Sequence, residues 1–209
     1  MNNRTYVWDP VIRLFHWTLA LAFVVAYATG EEESAIHTYA GYLILALIII
    51  RIVWGFVGTR HARFSDFLYS PSEALGYISD LITNVKVKRY VGHNPAAAWM
   101  VFALLISLSM TVFSGLKLEA AEGRGLLAEN TPVTMVSGDF LVSSAYADDD
   151  GHEHDGEGHD EEGDEFWEEI HEFFANFTLL LVFAHIGGVL LSSFRHKENL
   201  IRSMFTGYK

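Results

Sequence analysis

The sequence predicts an all-α integral membrane protein built as a bundle of four transmembrane helices. Two observations carry this prediction: 51% of the 209 residues are hydrophobic, and most of these lie in long runs rather than at the spacing of a soluble helix or strand. The runs cover residues 11–29, 36–57, 96–115 and 166–194, each near or above the roughly 20 residues that cross a bilayer. Residues 1–209 are therefore predicted to form a single membrane domain.

The basic residues predict how the bundle is oriented. They cluster at the N-terminal end of the chain, at and after the end of the second run, and in the C-terminal tail, and only Lys117 and Arg124 lie elsewhere. By the positive-inside rule, both termini and the loop 58–95 are cytoplasmic, and residues 116–165 form a long acidic outer loop. Within the cytoplasmic loop, Ser70-Pro71-Ser72-Glu73 predicts the start of a short amphipathic helix.

The formal net charge of -12 describes the outer loop rather than the whole surface. Residues 148–165 are nearly all Asp, Glu, Gly and His, and so charged a segment is predicted to be disordered. Its histidines, His152, His154 and His159, are compatible with metal capture or with docking of a basic partner. We favour a plain solvated loop, because exposed ligands without a defined geometry bind metals weakly. No nucleic-acid partner is expected.

Four histidines lie inside the predicted spans: His16, His37, His171 and His185. Ionisable groups at membrane depth usually mark functional sites, and neutral imidazole commonly ligates haem iron and other metals. His171 and His185 are 14 residues apart, which is nearly four helical turns and a climb of about 21 Å on one face. The predicted orientation pairs His16 with His185 near the inner surface and His37 with His171 near the outer surface. Each pair is able to ligate the iron of one b-type haem.

Small residues accompany all four histidines. Each histidine has one of them three or four positions further along its own helix face: Ala20, Gly41, Ala175 and Gly188. A flat porphyrin needs such space beside its ligands. Close helix packing is the alternative explanation for any one of them, but four of four favour haem. The chain has no cysteine, so any haem is held noncovalently, and iron–sulfur clusters held by thiolates are excluded.

Arg51 stands 14 residues after His37, at the depth of the inner pair. Our hypothesis is that it binds a propionate of the inner haem; the alternative is an anchor that reaches to lipid headgroups. The remaining histidines of the cytoplasmic segments, His61, His93 and His196, are expected to have ordinary structural roles.

The first run also resembles a signal peptide, with Ala26-Tyr27-Ala28 as a small-x-small cleavage site. We expect it to be retained, because cleavage would leave three helices and remove a histidine placed at a matching depth.

Several motifs together carry a family resemblance: Trp8-Asp9-Pro10, Arg13-Leu14-Phe15-His16-Trp17, His37 with Gly41-Tyr42, Arg51 with Trp54-Gly55-Phe56, Gly92-His93-Asn94-Pro95, and His171 with Asn176 and His185. They resemble the prokaryotic di-haem cytochrome b family, which includes bacterial cytochrome b-561 and the b-type cytochrome subunit of nickel-iron hydrogenases. The resemblance covers nearly the whole chain except the acidic loop. It implies haem ligands on the first, second and fourth helices, matching the four histidines, and electron exchange with membrane quinone.

The expected function is therefore that of a di-haem b-type cytochrome in the bacterial inner membrane. It would carry electrons between the quinone pool and a periplasmic redox partner, such as a c-type cytochrome or a hydrogenase-like subunit. As an electron-transfer subunit it needs no catalytic residue of its own, and the direction of flow and the oligomeric state stay open. Two alternatives are a stand-alone superoxide:quinone oxidoreductase and a divalent-metal transporter or sensor, the latter predicting a colourless protein.

Overall fold

The computed structural model is all-helical and describes residues 5–30, 34–83, 88–128 and 157–209. Its helices are α1 (Pro10–Ala28), α2 (Ala35–Val57), α3 (Pro71–Thr83), α4 (Pro95–Ala121), α5 (Glu157–His196) and α6 (Leu200–Thr206), with short 3-10 turns at Arg60–Ala62 and Phe64–Asp66. Helices α1, α2, α4 and α5 are long and apolar enough to cross a membrane. The prediction of an all-helical chain with four potential spans is confirmed.

Polar side chains begin three of these four helices. Asp9, Ser34 and Asn94 each accept a hydrogen bond from a backbone amide of the first turn, which satisfies a donor that has no partner within the helix. The short helix expected within residues 58–95 is α3. There Ser70 Oγ accepts from Glu73 N at 3.3 Å, and Glu73 accepts from Ser70 N at 2.8 Å, which is a reciprocal capping box.

Two helices extend beyond the apolar runs that predicted them. Helix α4 continues to Ala121 instead of ending at residue 115, and α5 begins at Glu157 instead of residue 166. Once a helix is nucleated by its packed segment, each further residue adds a backbone hydrogen bond, so the helix outlasts the hydrophobic stretch. The last nine residues of the segment 148–165, predicted to be disordered, are thus helical. Residues 148–156 lie outside the described residues.

The spans pack as two pairs joined through α2 and α4. Helix α1 packs on α2, α5 packs on α4, and α2 contacts α4. The shared core contains Phe23, Ile44, Leu108 and Val112. Within the described chain, α5 packs its backbone closely against α4 but not against α1 or α2. The side of α5 that faces α1 and α2 therefore contacts these two helices through side chains rather than through close backbone packing.

The two chain termini meet at one end of the bundle. Thr5 N donates to Lys209 O at 3.0 Å, and Lys209 N donates to Thr5 O at 2.9 Å. Asp9 joins the start of α1 to the end of α2, because its Oδ2 accepts from Trp54 Nε1 at 3.2 Å and from Thr59 Oγ1 at 2.5 Å. We call this end the terminal end and the opposite one the loop end.

Candidate functional site

The structure brings the four membrane histidines together as two pairs. At the terminal end, the imidazole centroids of His16 on α1 and His185 on α5 lie 6.3 Å apart. At the loop end, those of His37 on α2 and His171 on α5 lie 5.9 Å apart. These are the same two pairs that the sequence spacing suggested. The long α5 thus presents one histidine to each of the two helices on the other side of the bundle.

Both separations suit two imidazoles bound to opposite sides of one metal ion. A metal–nitrogen bond of about 2 Å on each side, plus about 1 Å from each nitrogen to its ring centre, places such centroids about 6 Å apart. No hydrogen bond joins the two rings of either pair in the part of the chain that the structure describes. The two rings of each pair are therefore close together but are not hydrogen-bonded to each other.

Each pair offers two imidazoles, one from each of its histidines. Among the described residues, no three His, Asp or Glu side chains converge on a point where a metal ion could sit. A bare divalent ion usually needs four or more ligands, so this arrangement does not favour a metal-transport site. A planar tetradentate ring leaves two axial positions free, and a histidine pair matches that requirement.

Backbone carbonyls orient the rings of the loop-end pair. His37 Nδ1 lies 2.8 Å from the carbonyl oxygen of Ala26 on α1, and His171 Nδ1 lies 2.9 Å from that of Thr111 on α4. Because a carbonyl can only accept, each Nδ1 carries the proton and donates. The lone pair of each Nε2 is left available, as in metal-bound histidines whose other nitrogen donates to a backbone carbonyl.

Helix α4 carries no histidine but shapes the loop-end site. A Cβ at Gly115 would lie 3.0 Å from His171 Cε1 and 3.2 Å from Nδ1. Ser114 Oγ lies 3.3 Å from the same Nδ1. The sequence reasoning missed these residues and the carbonyl of Thr111, because a small residue in a membrane helix usually indicates helix packing and a backbone acceptor leaves no signal in the sequence.

Open space lies beside one histidine of each pair. A Cβ added at Gly41, four residues after His37, would meet no atom within 4 Å, and the same holds for Gly188, three residues after His185. Ala20, four residues after His16, is exposed. The ligand faces of α1, α2 and α5 therefore have room for a flat group, which was the reason for singling out these residues in the sequence. The residues present fit a noncovalent haem.

Aromatic residues pack beside His16 of the terminal-end pair. His16 Nδ1 is buried without a hydrogen-bond partner in the described structure. The neighbouring Trp17 stacks on Phe205 of α6, with centroids 4.3 Å apart and ring planes 20° apart. The guanidinium of Arg13 donates to the carbonyl of Phe205. Helix α6 is thereby tied down beside His16, and the short C-terminal helix forms part of the site.

Arg51 is buried at the terminal end of α2. Its residue is only 4% exposed, its Cζ lies 4.7 Å from the centre of the Phe64 ring, and its Nη1 is buried without a hydrogen-bond partner. A side chain that anchored the helix in lipid headgroups would reach the surface. The burial of Arg51 contradicts that alternative. It also leaves the positive charge of Arg51 without a contacting anion among the described residues.

Comparison with known protein families gives one match that spans nearly the whole chain. The family described as prokaryotic cytochrome b561 matches residues 7–207. No solved structure gives a significant match.

Curated relatives carry a consistent name. A "Probable Ni/Fe-hydrogenase B-type cytochrome subunit" of Rhizobium leguminosarum bv. viciae is 28% identical over 147 residues, covering 54% of this chain and 60% of the relative. The protein of the same name from Cupriavidus necator is 29% identical over 140 residues, covering 53% and 57%. The "Probable Ni/Fe-hydrogenase 1 B-type cytochrome subunit" of Escherichia coli is 24% identical over 139 residues, covering 54% and 59%. The alignments thus span about 60% of the length of these relatives.

Proposed function

This chain belongs to the prokaryotic cytochrome b561 family, and on that premise we propose that it carries electrons across a membrane through two noncovalent b-type haems. Membership makes it a membrane b-type cytochrome, and haem b binding and electron transfer follow from the family. The proposal adds the number of haems, their ligands and their positions at the two ends of the bundle.

The observation that carries the proposal is the pair of histidine separations, 6.3 Å for His16 and His185 and 5.9 Å for His37 and His171. Each pair holds one haem, with Gly41 leaving room for the ring at the loop end and Arg51 binding a propionate at the terminal end. Haem bound there would supply one-electron chemistry at iron, and two imidazole ligands would favour electron transfer over oxygen binding. The 14 residues between His171 and His185 separate the two sites by about 21 Å along α5.

The protein's own contribution is to hold and orient the ligands and to exclude water. The carbonyls of Ala26 and Thr111 keep the proton of the loop-end imidazoles on Nδ1 and leave the lone pair of Nε2 available. Buried apolar residues of α1, α2 and α4 form the core of the bundle. A low-dielectric environment of this kind, together with the axial ligands, tunes the potential of a bound haem. We assign no catalytic residue.

The proposed setting is the bacterial inner membrane, with both termini and residues 58–95 in the cytoplasm. Electrons pass between quinone in the bilayer and a periplasmic redox protein that meets the loop end. The names of the relatives support a hydrogenase-like partner, and the acidic outer loop suits a basic c-type cytochrome through electrostatic steering. The loop residues 129–156 lie outside the described structure.

The test is a haem count together with reduced-minus-oxidised spectra of the purified full-length chain. We expect two haems per chain. His16→Ala and His185→Ala should each remove the same haem, and combining them should remove no more; His37→Ala and His171→Ala should behave likewise for the other haem.

His196→Ala is the matched control, because His196 belongs to neither histidine pair. Its Nε2 lies 3.1 Å from Tyr77 Oη. A colourless protein, or full haem content after all four ligand substitutions, would contradict the proposal. Superoxide-dependent quinone reduction by the isolated chain would instead favour the stand-alone enzyme.

A further inference from the structure

Arg51 and His93 belong to one aromatic cluster at the terminal end. The Phe64 ring lies against the guanidinium of Arg51, 4.7 Å from its Cζ. Its centroid is 5.9 Å from that of Phe67, which is 1% exposed. The His93 ring lies between Phe67, at 4.4 Å, and Trp8, at 4.8 Å. The cluster thus joins the end of α2, the 3-10 turn Phe64–Asp66 and the residue before the N-cap of α4.

Both residues carry a buried nitrogen that has no partner. Arg51 Nη1 and His93 Nδ1 make no hydrogen bond in the described structure. Within the described residues Arg51 also forms no ion pair closer than 4 Å, although Asp9 is near enough to influence it. Asp9 is already occupied by hydrogen bonds from Ile12, Trp54 and Thr59. A buried cation without an anion, beside a buried polar atom without a partner, is a costly arrangement that a ligand would relieve.

The other charges that face His93 do have partners. They are those of His61, Asp66 and Lys209. His61 Nδ1 donates to Asp66 Oδ2 at 2.9 Å. Lys209 Nζ lies 3.5 Å from a carboxylate oxygen of Glu198 and donates to the carbonyl of Tyr90 at 2.7 Å. Arg51 is therefore the charge near His93 that lacks a contacting counter-ion in the described chain.

His93 is neutral in this environment. Burial, followed by the positive charge of Arg51, lowers the pKa of His93 to about 3. A neutral imidazole has one N–H, and the Nδ1 tautomer places that proton where no protein acceptor exists. A cation close enough to act on the imidazole, together with a neutral N–H in the same cluster, offers two donors to the two oxygens of a carboxylate.

The cluster lies between the terminal-end histidine pair and the surface. The hydrogen bond from Trp54 Nε1 to Asp9 places these two residues at about the same depth along the bundle axis. Arg51 is three residues before Trp54, about 4.5 Å toward the loop end, whereas His16 is seven residues after Asp9, about 10 Å toward the loop end. A carboxylate that projects from a group at His16 toward the terminal surface therefore reaches the level of Arg51.

We infer that Arg51 and His93 together bind one propionate carboxylate of the haem held by His16 and His185. The inference rests on the proposed function and adds to it His93 as a positioning residue, although the sequence suggested only a structural role for it. Arg51 supplies the charge and Nη1 one donor, and His93 Nδ1 supplies a second donor. A lipid phosphate is a poorer occupant, since Arg51 is only 4% exposed.

The test is a redox titration of the haem-loaded, full-length protein with both haems resolved. The terminal-end haem is identified as the component missing from His185→Ala. Arg51→Leu removes the charge, and its equilibrium constant for reducing that haem should fall about tenfold, which is about 59 mV for one electron, because a nearby cation favours the reduced state. Arg51→Gln removes the charge but retains a neutral donor, and should shift the same component by less than Arg51→Leu.

His93→Phe should shift the same component in the same direction by a smaller factor, since the ring keeps its packing but loses the donor. His93→Asn retains an N–H near the position of Nδ1, and its potential should lie close to that of the unsubstituted protein. The propionate bending mode in resonance Raman spectra should change in Arg51→Leu and His93→Phe. A merely structural role would leave this mode, and the difference between Phe and Asn, unaffected.

The loop-end haem is the internal control and should keep its potential in every variant. Two bound haems with unchanged potentials and unchanged propionate modes in Arg51→Gln and His93→Phe would overturn this inference alone. Fewer than two haems in the unsubstituted protein would instead overturn the proposed function. The two failures are thus distinguishable in one set of preparations.

Discussion

Gly115 on α4 lies directly against the imidazole of His171 on α5, with space of only 3.0 Å between Cε1 of the ring and the place where a Cβ would be. One turn earlier on α4, the carbonyl of Thr111 accepts the proton of the same ring. Helix α4, which contains no histidine, thus determines both how near His171 comes to it and which way the ring turns.

Gly115→Ala should disturb the loop-end haem and spare the other. The added methyl group pushes the His171 ring away from Thr111, and overpacking of this kind costs about 1–3 kcal/mol. We expect a changed electron paramagnetic resonance signal for one of two haems in the oxidised protein. Ser114→Ala, which removes only a contact at 3.3 Å, is the milder control. Equal changes in both haem signals would show that the effect is not local.

Gly41→Ala separates clashes with protein from clashes with a bound group. The structure places no atom within 4 Å of the added Cβ, so the substitution creates no clash within the protein itself. If haem occupies that space, the loop-end haem should bind about tenfold more weakly or worse, from about 1–3 kcal/mol of overpacking. Haem content during competition with apomyoglobin measures this.

Gly76→Ala on α3 is the matched control for that experiment, because a Cβ there also meets nothing within 4 Å and α3 carries none of the four histidines. Equal haem retention in Gly41→Ala and in Gly76→Ala would mean that the space beside Gly41 is not used by the cofactor.

The spans and the histidine pairs follow from the sequence because their causes are local. Apolar length predicts a span, and 14 residues between His171 and His185 predict one face at two depths. The partner of each ring nitrogen depends on how neighbouring helices are placed, so the carbonyls of Ala26 and Thr111 left no trace in the pattern. His93 looked ordinary for the same reason: its burial and its contact with Trp8 arise only when the chain ends of α1 and α4 come together.

Asp9 is expected to be a major source of stability at the terminal end. It is 4% exposed and accepts from Ile12 N at 3.0 Å, besides Trp54 and Thr59. Asp9→Ala removes an N-cap worth about 1 kcal/mol and two side-chain hydrogen bonds of about 1 kcal/mol each, so the free energy of unfolding should fall by about 3 kcal/mol. Thr59→Val, which removes one of these bonds, should lose about 1 kcal/mol.

The acidity of Asp9 adds a pH dependence to the same contact. Burial raises its pKa, but the hydrogen bonds from Thr59, Ile12 and Trp54 outweigh burial and hold the pKa below its usual value. The carboxylate therefore contributes its stability fully at neutral pH, and the contribution is lost as pH falls through the folded-state pKa. Thermal unfolding in detergent at several pH values checks both statements. Identical unfolding temperatures for Asp9→Ala and Thr59→Val would contradict the proposed network.

The acidic loop gives a prediction about the outer partner. Deleting residues 148–156 removes loop sequence and leaves α5 complete, whereas deleting 148–165 also removes the first nine residues of α5. If the loop steers a basic partner, the shorter deletion should slow electron exchange with a basic c-type cytochrome at low salt by about tenfold, and the difference should vanish at high salt. An acidic or neutral cytochrome is the control. A rate that the deletion leaves unchanged at low salt would dispose of docking through this loop.

His93 should make the protein sensitive to acid in a window that begins near neutrality. Its ordinary pKa is 6.5, and burial, then the charge of Arg51, lower the pKa in the folded protein to about 3. Between these values the unfolded chain binds a proton that the folded chain does not, so the free energy of unfolding rises with pH by at most about 1.4 kcal/mol per pH unit. The contribution is complete above pH 6.5 and is lost as the pH falls toward 3. A carboxylate bound beside Arg51 opposes this lowering of the pKa and narrows the pH window.

His93→Asn does not titrate, and its unfolding temperature should therefore fall less than that of the unsubstituted protein between pH 6.5 and 4. His61→Asn is the control, because His61 has Asp66 as its partner at 2.9 Å. Parallel curves for His93→Asn and the unsubstituted protein would show that His93 is charged, or exposed, in the folded state.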